Sequence, residues 1–206
     1  MGCGGSKEKR IKKQNDGIKM RESVKTNAKL EAKIVLVGSS GVGKTCIATR
    51  YKEGKFESDY KATVGAAYFQ KNFGFPDGTQ LKLHIWDTGG SEKFKSVAPL
   101  YYKDAHAALI VYAIDDEQSF QQVDYWLDQL RDHGNMPKMV KYVIGNKSDV
   151  ENRRVQIKEG RRYAEGNQMP FFETSALVND GSINDVFSQL ATDIKKAFDE
   201  SELTTV

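Results

Sequence analysis

Six short stretches of the chain carry strand-like apolar patterns, and helical patterns fall between them. The strand-like stretches lie at 32–37, 66–73, 80–86, 106–113, 139–145 and 170–174. In the third, Leu81, Leu83 and Ile85 alternate with Lys82, His84 and Trp86, the period of a half-buried strand. Ala107–Ala113 is apolar throughout, as an interior parallel strand is. Pro76-Asp77-Gly78-Thr79 is a turn signal, so its two flanking stretches read as an antiparallel hairpin. Helical spacing recurs at Phe120, Val123, Leu127 and Leu130, giving a helix over 117–133, and again at Ile183, Val186, Phe187, Leu190 and Ile194. A further helix runs from about Thr45 to Lys52. This alternation predicts an α/β fold: a six-stranded, mostly parallel sheet with one antiparallel hairpin and helices on both faces. Ligands of such sheets bind at the carboxyl ends of the strands.

The apolar run Ile34–Val37 leads straight into Gly38-Ser39-Ser40-Gly41-Val42-Gly43-Lys44-Thr45, which fits G-x-x-x-x-G-K-[ST] between a strand and a helix. A triphosphate needs many donors aimed at its oxygens. Glycines let the backbone approach and turn its N–H groups inward, and the new helix adds its positive end. In this reading Ser39, Ser40, Gly41, Val42, Gly43, Thr45 and Cys46 line the phosphates. Lys44 reaches the β- and γ-phosphates, and the Thr45 hydroxyl holds Mg²⁺, a hard cation suited to oxygen.

Three further segments stand at predicted strand ends. Trp86-Asp87-Thr88-Gly89-Gly90 places Asp87 to hold Mg²⁺ through a water and the Gly90 N–H toward a γ-phosphate. Asn146-Lys147-Ser148-Asp149 fits N-K-x-D, and Glu173-Thr174-Ser175-Ala176 follows the last strand. An Asp149 carboxylate accepts from guanine N1–H and its 2-amino group; adenine offers neither and would leave the acceptor unpaired. The Lys147 stem would lie along the base and the Ala176 N–H would donate to O6. N-K-x-D alone is a weak pattern, but four elements in order make a guanine-nucleotide site. A P-loop kinase or ATPase would lack N-K-x-D.

Composition adds an asymmetry. The formal net charge is +3, yet residues 1–30 hold nine Lys/Arg against three Asp/Glu, leaving the remainder mildly acidic. A basic tail on an acidic domain suits an anionic membrane surface better than nucleic acid. That tail begins Met1-Gly2-Cys3-Gly4-Gly5-Ser6, the N-myristoylation pattern on Gly2, with Cys3 a palmitoylation candidate and Lys7, Lys9, Arg10, Lys12 and Lys13 close behind. One myristoyl chain binds membranes marginally, so the extra signals matter. Residues 1–30 are expected to be a disordered basic tail, 31–199 the domain, and 200–206 a short tail. No cysteine follows Cys46, so a C-terminal prenyl anchor is not expected. Two cysteines, one in the phosphate-loop helix, suggest a reducing compartment. His84, His106 and His133 lack metal-ligand spacing and read as structural or surface groups.

Over 31–199 the chain resembles a Ras-superfamily small GTPase and, within that superfamily, a Rab. The Rab-like marks are Thr63-Val64-Gly65-Ala66-Ala67-Tyr68, Lys82-Leu83-His84-Ile85-Trp86, Lys93-Phe94-Lys95-Ser96-Val97 and Tyr101-Tyr102-Lys103-Asp104-Ala105. The Gly-Ala-Ala variant is similar to the early-endosomal branch, which includes members with an N-terminal Gly-Cys acylation start. The resemblance implies the P-loop small-GTPase fold, a monomer, and residence on the cytoplasmic face of endosomal membranes. It implies that Thr63 gives its hydroxyl to Mg²⁺ and its N–H to the γ-phosphate, that Phe56 packs on guanine, and that Tyr60 closes over the phosphates. Segments 54–66 and 88–102 would be switches that meet an exchange factor, an activating protein and effectors. Tyr68, Trp86 and Tyr101 would be the aromatic triad that effectors read; sheet packing alone is the plainer account of those three.

The departures cluster at the chemistry. Where the family has Asp-Thr-Ala-Gly-Gln, this chain has Gly89 for the alanine and Ser91 for the glutamine that orients water. Lys44, Thr63, Gly90 and Ser91 are therefore expected to support only slow unaided hydrolysis, with a GTP-binding scaffold of negligible turnover as the alternative. The family's Ser-Ala-Lys is Ser175-Ala176-Leu177, which puts one contact near the base in doubt.

Overall fold

All six expected strands form, and they pair as the patterns require. In this computed structural model the described residues are 1–2, 28–56, 62–90, 98–134 and 139–203. The strands are β1 (Lys29–Val37), β2 (Ala66–Gly74), β3 (Gln80–Thr88), β4 (Ala107–Ala113), β5 (Val140–Asn146) and β6 (Phe171–Thr174). The helices are α1 (Lys44–Glu53), α2 (Ala98–Tyr102), α3 (Glu117–Gln121), α4 (Val123–His133), α5 (Ile157–Gly166) and α6 (Ser182–Leu203). The sheet order is β2-β3-β1-β4-β5-β6. Only β2 and β3 are antiparallel, registered from Ala66 opposite Thr88 to Gly74 opposite Gln80. Their turn is closed by Gly78 at φ 90, whose N–H donates to Phe75 O at 3.0 Å.

Strand alternation sorts the core into two layers. Ile34, Leu36, Leu83, Ile85, Leu109 and Ile144 meet α1 and α6 through Ile47, Tyr51, Phe187 and Leu190. Val35, Val37, Ala108, Ile110 and Val143 meet α4 and α5 through Val123, Trp126, Leu130 and Ala164. β4 lies inside the sheet and is buried at every position, which explains its unbroken apolar run.

Three boundaries differ from the sequence pattern. β1 begins at Lys29, inside the expected tail, because Lys29 and Leu30 pair with Gln80 and Leu81 and the Ala28 carbonyl accepts from Gln80 N–H. α6 runs past 199 to Leu203, with Phe198 packed 5.2 Å from the His106 ring. The helical pattern over 117–133 divides at Gln122 into α3 and α4. α5 had no clear pattern because few of its residues are apolar. It lies so close to the sheet that a Cβ on Gly160 would come 2.4 Å from the Tyr112 hydroxyl.

The parallel register brings the ends of β1, β3, β5 and β6 to one edge. Leu36 lies opposite Asp87, and Asn146 lies beside both Ala113 and Thr174. The loops that carry the sequence motifs leave from that edge. Among the described residues no helix is long and apolar enough to cross a membrane.

Candidate functional site

The loop between β1 and α1 is held in a glycine-only shape at three points. Gly38, Gly41 and Gly43 have φ of 145, 80 and 93. A Cβ on Gly38 would lie 2.1 Å from Val111 O, and one on Gly43 would lie 2.3 Å from Asn146 Nδ2. Gly43 also begins α1 without a side-chain cap, which leaves the first N–H groups of the helix open to an anion. Lys44 is buried, and its ammonium donates to the carbonyls of Gly38 (2.7 Å) and Ser39 (2.8 Å). Burial pushes that ammonium down to about 8, while the charge of Asp87 pulls it back up.

Beside Lys44 three oxygens converge. The Thr45 hydroxyl donates to Asp87 Oδ2 at 2.5 Å, and the Thr63 hydroxyl lies 2.8 Å from Thr45 Oγ1 and 3.4 Å from Asp87 Oδ2. Asp87 Oδ1 is buried with no hydrogen-bond partner. Burial raises the Asp87 carboxyl above the usual range; the Thr45 hydroxyl, Lys44 and the Thr63 hydroxyl oppose that rise. An orphaned carboxylate oxygen beside two hydroxyls is a donor set that fits a hard divalent cation. A cavity of about 350 Å³ opens over these groups, lined by Ser40, Gly41, Gly43, Lys44, Thr45, Cys46, Thr63 and Gly90 among others. Gly90 sits on the phosphate loop itself: a Cβ there would be 2.5 Å from Gly38 O. Next to it, Gly89 N–H donates to Gly65 O at 2.8 Å, joining the two expected switch segments.

A second cavity, about 230 Å³, shares the Gly41, Gly43 and Cys46 wall. Phe56, Asn146, Lys147, Asp149, Ala176 and Leu177 complete it. Its polar groups are locked to one another. Asn146 Nδ2 donates to Val42 O at 2.8 Å, tying the N-K-x-D segment to the phosphate loop. Thr174 Oγ1 donates to Asn146 Oδ1 at 3.2 Å, and Ser175 Oγ donates to Asp149 Oδ1. Lys147 is held at φ 67, with its ammonium 3.3 Å from Asp115. The Cys46 thiol is pushed up by burial first and by Asp87 next. A larger depression of about 760 Å³ lies away from these motifs, by Leu127, Met139 and Met169. It gathers no such set of groups, so size does not identify the site.

The three aromatics named from sequence also meet. Tyr68 and Trp86 rings are 5.0 Å apart, and Trp86 and Tyr101 are 5.7 Å apart. Val64 and Leu100, from the two switch segments, are exposed. The Tyr68 hydroxyl pairs with His84 Nδ1 at 2.6 Å, and His84 Nε2 lies 2.8 Å from Glu31. His84 is thus a half-buried group held at both ring nitrogens.

Tyr60, Ser91 and Cys3 lie outside the described residues, and Gly2 is exposed. Asp115, which holds the Lys147 ammonium, and Arg50 had no sequence signal. Arg50 reaches from α1 to the carbonyls of Ala176 and Leu177. Its spacing from Lys44 matches no motif, and a lone arginine in a last helical turn reads as a dipole partner.

The Ras family model matches residues 33–196. The chain is 36% identical to Ras-related protein Rab-5B of Plasmodium falciparum over 97% of both chains. It is 42% identical to Ras-related protein RHN1 of Nicotiana plumbaginifolia over 82% of this chain and 83% of that one. It is 36% identical to GTP-binding protein YPT1 of Saccharomyces cerevisiae over 83% and 82% respectively.

Proposed function

The chain belongs to the Ras family, with Rab proteins as its relatives, and from that premise we propose a Rab-like guanine-nucleotide switch. It binds GTP and GDP with Mg²⁺, hydrolyses GTP slowly when unaided, and recruits effectors in vesicle traffic. The observation that carries this reading is the pair of cavities sharing the Gly41, Gly43 and Cys46 wall, one lined by phosphate-type donors and the other by Asn146, Lys147 and Asp149.

The backbone from Ser39 to Cys46 binds the phosphates, and Lys44 neutralises the β and γ oxygens. Thr45, Thr63 and Asp87 would hold the cation, which supplies charge neutralisation at the phosphates. Asp149, oriented by Ser175, selects guanine; Lys147 and Phe56 flank the base, with Ala176 and Leu177 forming the far wall. Thr63 and Gly90 offer N–H groups to the γ-phosphate, and Tyr60 covers it. Tyr68, Trp86 and Tyr101 form the effector face, and segments 54–66 and 88–102 carry regulators. Acylation at Gly2 and Cys3 with the basic tail attaches the protein to an endosomal membrane; blocked myristate labelling on Gly2→Ala checks that step.

Ser91 is too short to orient water as glutamine does. The deciding experiment is single-turnover GTP hydrolysis by the wild type beside Ser91→Gln. A slow wild type and a faster glutamine variant support the reading. An ordinary wild-type rate overturns the slow-turnover part, and tighter binding of adenine than guanine nucleotides overturns the whole. The Gly89 and Ser91 departures also favour a scaffold reading, which gains if both proteins are inert even with cell extract.

A further inference from the structure

Arg50 spans the base cavity from outside. Its guanidinium makes three hydrogen bonds, all to backbone carbonyls, and they belong to two different walls. Nη1 donates to Gly54 O at 2.7 Å. Nε donates to Ala176 O at 3.0 Å, and Nη2 donates to Leu177 O at 2.8 Å. Gly54 ends α1 in the left-handed region at φ 68, with its N–H returned to Arg50 O at 2.9 Å. Two residues later comes Phe56, which lines the cavity on one side. Ala176 and Leu177 line it on the other.

The loop after β6 is anchored at its start, where Ser175 Oγ donates to Asp149 Oδ1 and Ala176 is buried in the core, and is looser just beyond. Ser175 Oγ accepts from Val178 N–H at 2.9 Å, but the apolar side chains of Leu177 and Val178 are about half exposed and hold little. Leu177 stands where the family has a lysine, and its carbonyl is held by Arg50. A guanidinium is planar, always charged and carries donors on three nitrogens, so it can serve three carbonyls in different directions. An ammonium on a flexible stem cannot reproduce that geometry.

We propose that Arg50 is a positioning residue that joins the two walls of the base cavity and sets how long a guanine nucleotide stays bound. Its guanidinium bonds to none of the groups assigned to the phosphates or the cation. This inference rests on the guanine-nucleotide reading, and the test separates the two.

The test is release of fluorescent methylanthraniloyl-GDP from the full chain, with and without EDTA. It compares wild type, Arg50→Ala, Arg50→Lys and Lys52→Ala, a neighbour on the same helix end. Loss of charged hydrogen bonds should speed release from Arg50→Ala about tenfold or more. Arg50→Lys should recover only part of the loss, and Lys52→Ala should match wild type. The fold-acceleration by EDTA should be the same in all four, because the cation groups are untouched. Wild-type release from Arg50→Ala, or full recovery in Arg50→Lys, overturns the proposal. So does an altered EDTA response, which would mean general loosening. If Arg50→Ala does not fold, Arg50→Lys alone decides: a wild-type rate overturns the clamp. A wild type that retains no GDP overturns the guanine reading instead.

Discussion

Asn146 occupies the space that a side chain on Gly43 would need. Its Nδ2 donates to Val42 O at 2.8 Å and lies 2.3 Å from the position of a Gly43 Cβ. The guanine-type segment therefore holds the phosphate loop through the very position where that loop must lack a side chain. Gly43→Ala meets both this contact and a φ of 93, a region that costs an L-residue about 1–2 kcal/mol. It should lower the melting temperature by several degrees and abolish GDP retention. Asn146→Ala should speed GDP release about tenfold by freeing Val42 O. The double variant should be less damaging than the two losses combined, because removing the amide relieves the clash. Strict additivity in a double-mutant cycle of melting temperatures would show that the contact is not the cause.

Ser175 fixes the Asp149 carboxylate from one side through its hydroxyl. Ser175→Ala leaves Asp149 charged but free to turn. Since one hydrogen bond to a charged group is worth about 1.5–3 kcal/mol, the GDP dissociation constant should rise about tenfold or more. Inosine diphosphate lacks the 2-amino group and so relies less on that carboxylate. Its affinity should fall less than that of GDP, and equal losses for the two would refute this role for Ser175.

Asp87 is a buried carboxylate with one oxygen unpaired. Without a cation the burial is a cost, and Asp87→Asn removes the charge while keeping the shape. The nucleotide-free variant should melt at or above the wild-type temperature. Its GDP release should be fast and no longer respond to EDTA, whereas wild-type release should accelerate when the cation is stripped. A variant whose GDP release still depends on Mg²⁺ would remove Asp87 from the cation site.

Much of this is legible in the sequence. The phosphate loop, Asp87, the N-K-x-D segment and Ser175 are local signals at strand ends, and parallel pairing is what brings them to one edge. The unbroken run at Ala107–Ala113 gave away a central strand because burial on both faces leaves no polar position. The remainder depends on contacts between distant segments. Arg50 bonds to residues 126 and 127 positions away, and no periodicity encodes such a reach. α5 carries little periodic signal because its fully buried residues are the small Gly160 and Ala164, with Tyr163 packing on Phe120 while only partly buried. The break at Gln122 was missed because Phe120 and Val123 keep helical spacing across it.

His106 supplies a pH dependence independent of the nucleotide. Its Nδ1 accepts from Lys33 N–H at 3.1 Å, a bond that only the neutral ring can accept. Burial lowers its pKa below the usual value of 6.5; Asp104 opposes the shift, and Lys33 and His84 add to it. The unfolded chain therefore binds more protons than the folded one in the window below pH 6.5. Stability then rises with pH through that window and is lost as pH falls through it. His106→Asn keeps an acceptor for Lys33 N–H but cannot take up the proton. Melting temperatures measured from pH 7.5 down to pH 5 should fall less steeply for the variant than for the wild type. The carboxylates common to both proteins cancel in that comparison. Parallel slopes would mean that His106 titrates alike in the folded and unfolded chain, and that its bond to Lys33 does not depend on the neutral ring.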